Sequence, residues 1–132
     1  MNLFPFIKQY ADQIGGQFTQ YDQTKAVVVV PLGVHRFQTV LALIQASKFS
    51  GRDLAVFTSK VCEFNGAINL KELLEENARF DYAKFMLEDN YIKLEAACTA
   101  TTVTEEQVKE MIQEVATMAD RFEHILTGQD IH

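Results

Sequence analysis

The chain reads as an α+β protein in which helices pack on an antiparallel sheet, in the order α-β-β-β-α-β-β-α. Three stretches carry that reading. Ala26 to Leu32 is a nearly unbroken apolar run with four consecutive valines, residues that are stiff at χ1 and pack well on a pleat. Leu54 to Phe64 has strand composition and is broken by Asn65-Gly66. A helix with a readable start follows: Asn69 can cap it, and Glu72 can reach back to the cap's own amide. Finally, Val108, Met111, Ile112, Val115, Met118, Phe122, Ile125 and Leu126 recur at the period of one long amphipathic helix.

The remaining elements fall between these. Leu3, Phe6, Ile7, Tyr10 and Ile14 have helical spacing, Pro5 suits a first turn, and Gly15-Gly16 suits the helix end. A short strand is expected near Gln17–Gln20, followed by the polar turn 21–24. Pro31-Leu32-Gly33 closes the valine strand. Arg36 to Ile44 is the next strand, with Phe37, Thr39, Leu41 and Leu43 on one face and Arg36, Gln38, Val40, Ala42 and Ile44 on the other. Residues 47–53 form a loop leading into Leu54–Phe64. The capped helix runs from Asn69 to Phe80. Ala83–Glu88 then pairs with Tyr91–Ala97 across Asp89-Asn90, residues suited to a tight primed turn. Thr104 with Gln107 predicts a second capping box, and Gly128 ends the last helix.

A chain of 132 residues is expected to form a single domain, residues 1–132. Hydrophobic residues make up 48% and charged residues 23%, the balance of a globular protein. The net charge is −6, which argues against a nucleic-acid partner, since such a protein needs a basic surface. The charge is uneven. Residues 1–62 carry six Lys/Arg and three Asp/Glu, whereas residues 63–132 carry six and fifteen. The acidic half is read as a solvated helix surface.

Cys62 and Cys98 lack the close spacing of a zinc or redox motif and are expected as reduced thiols. The N-terminus lacks a basic leader with a long apolar core. No apolar run approaches the roughly 20 residues that span a bilayer. A cytoplasmic protein without a membrane partner is expected.

No catalytic, cofactor-binding or metal-binding motif is present. There is no glycine-rich phosphate loop, nucleophile elbow or Cys/His pair in the right context. Glu75-Glu76 and Glu105-Glu106 are adjacent, so they point to different sides of a helix and make no acid/base pair. Asp120 and His124 have the i, i+4 spacing of a weak metal pair, but a surface ion pair is the expectation. The protein is therefore expected not to be an enzyme and to need no cofactor.

One feature resists a simple two-layer reading. A strand covered on one face should alternate apolar and polar residues. Ala26–Leu32 does not, and Val40, Ala42 and Ile44 leave the far face of their strand apolar. Val28, Val30, Val40, Ala42 and Ile44 are therefore the candidate partner-binding residues, since large apolar patches mark interaction surfaces.

The element order, the small size and the acidic character together resemble the type III secretion chaperone fold and the related YbjN-like domains. The local stretches concerned are Ala55-Val-Phe-Thr-Ser-Lys-Val-Cys before the helix Leu70–Phe80, then Ala83-Lys-Phe-Met-Leu-Glu-Asp-Asn. The resemblance implies a non-catalytic homodimer that binds a polypeptide, with the middle helix in the dimer interface. On that helix the candidate interface residues are Leu70, Leu73, Leu74, Asn77 and Phe80. The rival from another class is a small-molecule-binding protein or small enzyme, with Arg36, Arg52 and acidic residues lining a cleft.

Overall fold

Residues 1–128 are described by the computed structural model. Its elements are α1 (Leu3–Gln13), β1 (Gln17–Gln20), β2 (Lys25–Gly33), β3 (Arg36–Ala46), β4 (Asp53–Glu63), α2 (Leu70–Glu76), a 3₁₀ turn (Asn77–Arg79), β5 (Lys84–Glu88), β6 (Tyr91–Thr99) and α3 (Glu105–Thr127). The strands form one antiparallel sheet in the order β1-β2-β3-β4-β6-β5. The α+β architecture and the short strand β1 are as expected. His132 lies outside the described residues.

Local chemistry sets the boundaries. Gly15 adopts φ 74° just past α1, a conformation without penalty only for glycine. At Gly16 a Cβ would run into the carbonyl oxygen of Val29, so the chain passes β2 too closely for any side chain. Asp89 and Asn90 both adopt positive φ, 51° and 64°, as a two-residue primed turn between β5 and β6 requires. At α3, the Thr104 hydroxyl accepts from the Gln107 amide at 3.1 Å, and the Gln107 side chain accepts from the Thr104 amide at 3.0 Å. This is the expected capping box.

Helices α1 and α3 cover one face of the sheet, α1 over β1 and β2 and α3 across β2, β3, β4 and β6. The core lies between them. From the sheet it takes Ala26, Val28, Val30, Val40, Ala42, Phe57 and Leu94, all fully buried, and from α3 it takes Val108, Met111, Ile112 and Val115. Phe80, Phe85 and Phe122 close one end as an aromatic cluster, Phe85 and Phe122 meeting edge-on at 4.9 Å between centroids.

Two expectations, about the sheet and about Asp120, are corrected. Val28, Val30, Val40 and Ala42 are core residues beneath the protein's own helices, and Ile44 packs half-buried against the same core, so this set offers no partner surface. The face looked outward in sequence because it also carries Arg36 and Gln38. Both have partners within the chain: Arg36 Nη2 donates to both oxygens of Asp120 on α3 at 2.9 Å, and Gln38 Nε2 donates to Ser59 on β4. The same contact corrects Asp120, whose carboxylate takes Arg36 rather than forming the simple surface pair with His124.

The middle helix is α-helical to Glu76 and continues as the 3₁₀ turn to Arg79, with Phe80 as the residue that leaves it. Asn77 turns its bonds outward, its side-chain oxygen accepting from the Phe85 amide at 2.6 Å and its carbonyl from Lys84 Nζ at 2.8 Å.

Candidate functional site

With both long helices on one side, the other face of the sheet carries no helix among the described residues. Register places its side chains in rows. One row runs Thr19, Val27, Leu41, Thr58, Glu95, Lys84 across all six strands. A second runs Lys25, Leu43, Val56, Ala97. Val29 and Thr39 pair in a third, beside Pro31 and Phe37. The centre of this face, on β2, β3 and β4, is thus apolar, and its flank on β5 and β6 is charged. Val27, Val29, Leu41 and Leu43 are half-buried and Phe37 is exposed. These side chains, and not the opposite set on the same strands, form the accessible apolar surface. The absence of alternation along Ala26–Leu32 was the signal, but it did not say which of the two phases faced the helices.

The sheet is split at one end. Strands β3 and β4 pair only from Leu41/Thr58 to Ala46/Asp53. Beyond that point side chains replace the ladder. Gln38 Nε2 donates to Ser59 Oγ at 2.9 Å and to the Lys60 carbonyl at 3.2 Å, and Ser59 Oγ donates to the Thr39 carbonyl at 2.7 Å. A cleft of about 650 Å³ opens here, and Phe37, Leu41, Lys60, Cys62, Tyr91 and Lys93 are among the residues that line it. Lys60 Nζ lies 4.8 Å from the Tyr91 ring centroid, a cation–π contact, and Lys93 Nζ is 2.8 Å from Glu88 Oε1. Cys62 and Cys98 are free and half-buried. Burial, and then the Glu123 carboxylate, pushes the Cys62 thiol up; burial alone pushes Cys98 up. Neither is an activated nucleophile.

The five candidate interface residues of the middle helix separate into two groups. Leu74 is 67% exposed and Leu70 39%, whereas Leu73 is only 4% exposed. Leu73 belongs to the core, Asn77 is committed to β5, and Phe80 packs half-buried on Phe85 and Phe122. These three are satisfied within the chain, which corrects their reading as interface residues. Leu70 and Leu74 remain accessible beside Met86 and Leu87 of β5. An exposed edge strand would invite pairing, but the Phe85 amide of β5 is already closed by Asn77.

Among the described residues no group of three or more His, Cys, Asp or Glu could hold a metal ion. No helix among them is long and apolar enough to cross a membrane. Arg36 is held by Asp120, and Arg52 is exposed in the loop before β4. The two do not converge on a cleft with carboxylates.

No protein-family model matches the chain, and no curated protein matches it by sequence. Solved structures do. A chain of the heterodimeric ExoU–SpcU complex from the type III secretion system of Pseudomonas aeruginosa matches with a TM-score of 0.56 and 11% identity, over 96% of this chain and 99% of that one. YbjN from E. coli matches with a TM-score of 0.48 and 20% identity, over 94% and 92% of the two chains. The first of these matches shows that the chain has the secretion-chaperone-like fold expected from its element order.

Proposed function

We propose that this chain is a non-catalytic, cytoplasmic polypeptide-binding module, a single domain that acts as a homodimer. The observation that carries the reading is the helix-free sheet face with its apolar centre of Val27, Val29, Phe37, Leu41 and Leu43. Water-facing apolar surface of this kind is stabilised when a partner covers it. An extended segment fits a flat pleated surface better than a globular partner does, because its alternate side chains match the rows of the pleat. The secretion-system complex with the same fold supports the reading, since that complex is itself an assembly of two polypeptides. Leu70 and Leu74 on α2 are the surface assigned to self-association.

Two measurements test this. Sedimentation at micromolar concentration is expected to give twice the 15.0 kDa chain mass; a monomer at every concentration overturns the dimer. Fluorescence anisotropy with reduced, carboxymethylated α-lactalbumin, a permanently unfolded chain, is expected to show saturable binding. Leu41→Asp, which places a charge in the centre of the apolar face, is expected to weaken that binding at least about tenfold, or about 1.4 kcal/mol, with an unchanged circular dichroism spectrum. Equal binding by the variant, or none by the natural protein, overturns the polypeptide reading.

A further inference from the structure

We infer that the helix-free side of the β3–β4 cleft binds a carboxylate, presented by an acidic residue of an extended polypeptide segment. The inference rests on the polypeptide-binding reading and adds a charge requirement to it. Register places the residues concerned on one face. Thr58 lies in the row of Leu41 and Glu95, and Lys60, two residues on, is directly opposite Lys93 of β6. Side chains two apart on a strand share a face, so Thr58, Lys60, Lys93 and Glu95 point the same way. Thr58, Lys60 and Lys93 all line the cleft, with Leu41 and Tyr91 beside them. Gln38 and Ser59 line it from the helix-covered face and take no part.

Two independent observations ask for an anion there. The first is the lysine pair. Directly opposite residues in an antiparallel ladder hold their Cβ atoms about 4.5–5.5 Å apart, and like charges so placed destabilise the sheet. Lys93 sets its charge against Glu88 at 2.8 Å. Lys60 is exposed, and among the described residues no carboxylate pairs with it. Its Nζ lies 4.8 Å from the Tyr91 ring centroid, a contact that positions the ammonium and leaves its charge. The second observation is Thr58, 9% exposed, whose Oγ1 is buried without a hydrogen-bond partner. Buried hydroxyls are almost always paired, and this one has a proton to donate. Thr58 and Lys60, neighbours on one face of β4, can donate to one carboxylate between them. Lys93, on the diagonal from Thr58, lies about 7–8 Å away by backbone spacing and adds its field.

The acidic groups nearby leave room for this charge. Glu88 is bound to Lys93. Glu95, opposite Thr58, faces Lys84 of β5 on its other side, and burial favours its protonated form. Glu63 is exposed and stands opposite Tyr91 at the rim, beyond the bulge that follows Lys60. Glu123 enters from α3, on the helix-covered side. A polypeptide is favoured over a free anion because the cleft is continuous with the apolar face. Phe37 and Leu41 belong to both. An extended segment repeats its side chains every second residue. Thr39 and Lys60 are one such step beyond the Leu41–Thr58 pair, and Leu43 and Val56 one step before it. Apolar side chains resting on Leu43 and Leu41 therefore bring an acid at the next alternate position to Lys60.

The test is an NMR titration of the ¹⁵N-labelled full chain with acetyl-Leu-Ala-Leu-Ala-Glu-amide. The same peptide with glutamine in place of glutamate, and free acetate, are titrated in parallel. The glutamate peptide is expected to shift the amides of Thr58, Lys60 and Lys93 and to bind about tenfold more tightly than the glutamine peptide. Lys60→Glu, at an exposed position, is expected to abolish that preference with an unchanged circular dichroism spectrum. Thr58→Val, an isostere without the hydroxyl, supplies a second variant and is expected to reduce it. Equal binding of the two peptides, shifts confined to residues outside the cleft, or an undiminished preference in either variant overturns the site. Acetate binding as tightly as the glutamate peptide overturns its assignment to a polypeptide. If carboxymethylated α-lactalbumin binds but the glutamate peptide does not enter the cleft, this site fails while the general reading stands. If the glutamate peptide enters the cleft and α-lactalbumin does not bind, the general reading fails instead.

Discussion

Glu114, midway along α3, accepts the backbone amide of Ala83, 31 residues earlier, at 2.7 Å through Oε1. The same carboxylate takes the amides of Tyr82 at 2.8 Å and Asp81 at 2.7 Å. One side chain thus fixes the entry of the chain into β5. Hydrogen bonds to a charged acceptor contribute more than neutral ones, and losing this acceptor leaves the partly buried amides of Tyr82 and Ala83 without it. Glu114→Ala is expected to lower stability by about 1.5–3 kcal/mol in urea denaturation. An unchanged midpoint would show that water replaces the carboxylate at no cost.

The middle helix offers a paired test of core against surface. Leu73 is buried, so Leu73→Glu places a charge in the core and is expected to unfold the protein. Leu74 is exposed, so Leu74→Glu is expected to leave the fold intact and, around a two-fold axis, to set like charges face to face and dissociate the proposed dimer. Circular dichroism and sedimentation of the two variants separate the outcomes. A Leu74→Glu protein that is folded and still dimeric would move the interface away from α2.

Phe122 joins α3 to the hairpin of β5 and β6 through edge-on contacts with Phe80 and Phe85. Removing a packed aromatic ring leaves a cavity as well as losing burial. Phe122→Ala is expected to cost about 3–5 kcal/mol by chemical denaturation.

Glu95 sets a pH dependence. Burial, and secondarily the Glu88 carboxylate, raises its pKa against a smaller opposing effect of Lys93. The folded state therefore holds this proton more tightly than the unfolded state, and stability falls as pH rises from the ordinary glutamate value, about 4.3, through the folded value. Glu95→Gln is expected to be more stable than the natural protein at pH 7. The gain should vanish below about pH 4, where both states of the natural residue are protonated. A pH-independent difference between the two proteins would contradict the assignment.

Tyr82 provides a spectroscopic readout of the contact between the segment entering β5 and α3. Its hydroxyl donates to Glu110 Oε1 at 2.7 Å, and that bond, followed by burial and the nearby carboxylates, pushes its pKa up to about 12. Whatever the bond contributes is present below about pH 10 and lost as pH rises through about 12. In a titration of the tyrosine ring carbons, Glu110→Gln is expected to lower the Tyr82 midpoint. If it does not, the phenol is not bonded to Glu110 in solution.

The sequence by itself determined what depends on neighbours along the chain. The box of Thr104 and Gln107, the Asn69 cap, the turn at Asp89-Asn90 and the glycine after α1 are each settled within a few residues, because caps and turns are local hydrogen-bond and φ constraints. The period of α3 was equally legible, except at Ile125, which is exposed while Leu126 beside it packs on the core. Only the tertiary structure decided which face of β2 and β3 is inside. Both phases of those strands are apolar, and the polar residues that should break the tie misled: Arg36 meets Asp120 across 84 positions and Gln38 meets Ser59 across 21. A charge or amide reads as outward until its partner is known, and that partner arrives only when distant segments pack. The same is true of the cleft, which exists because the β3–β4 ladder stops at Leu41 and Thr58, a register that no local pattern encodes.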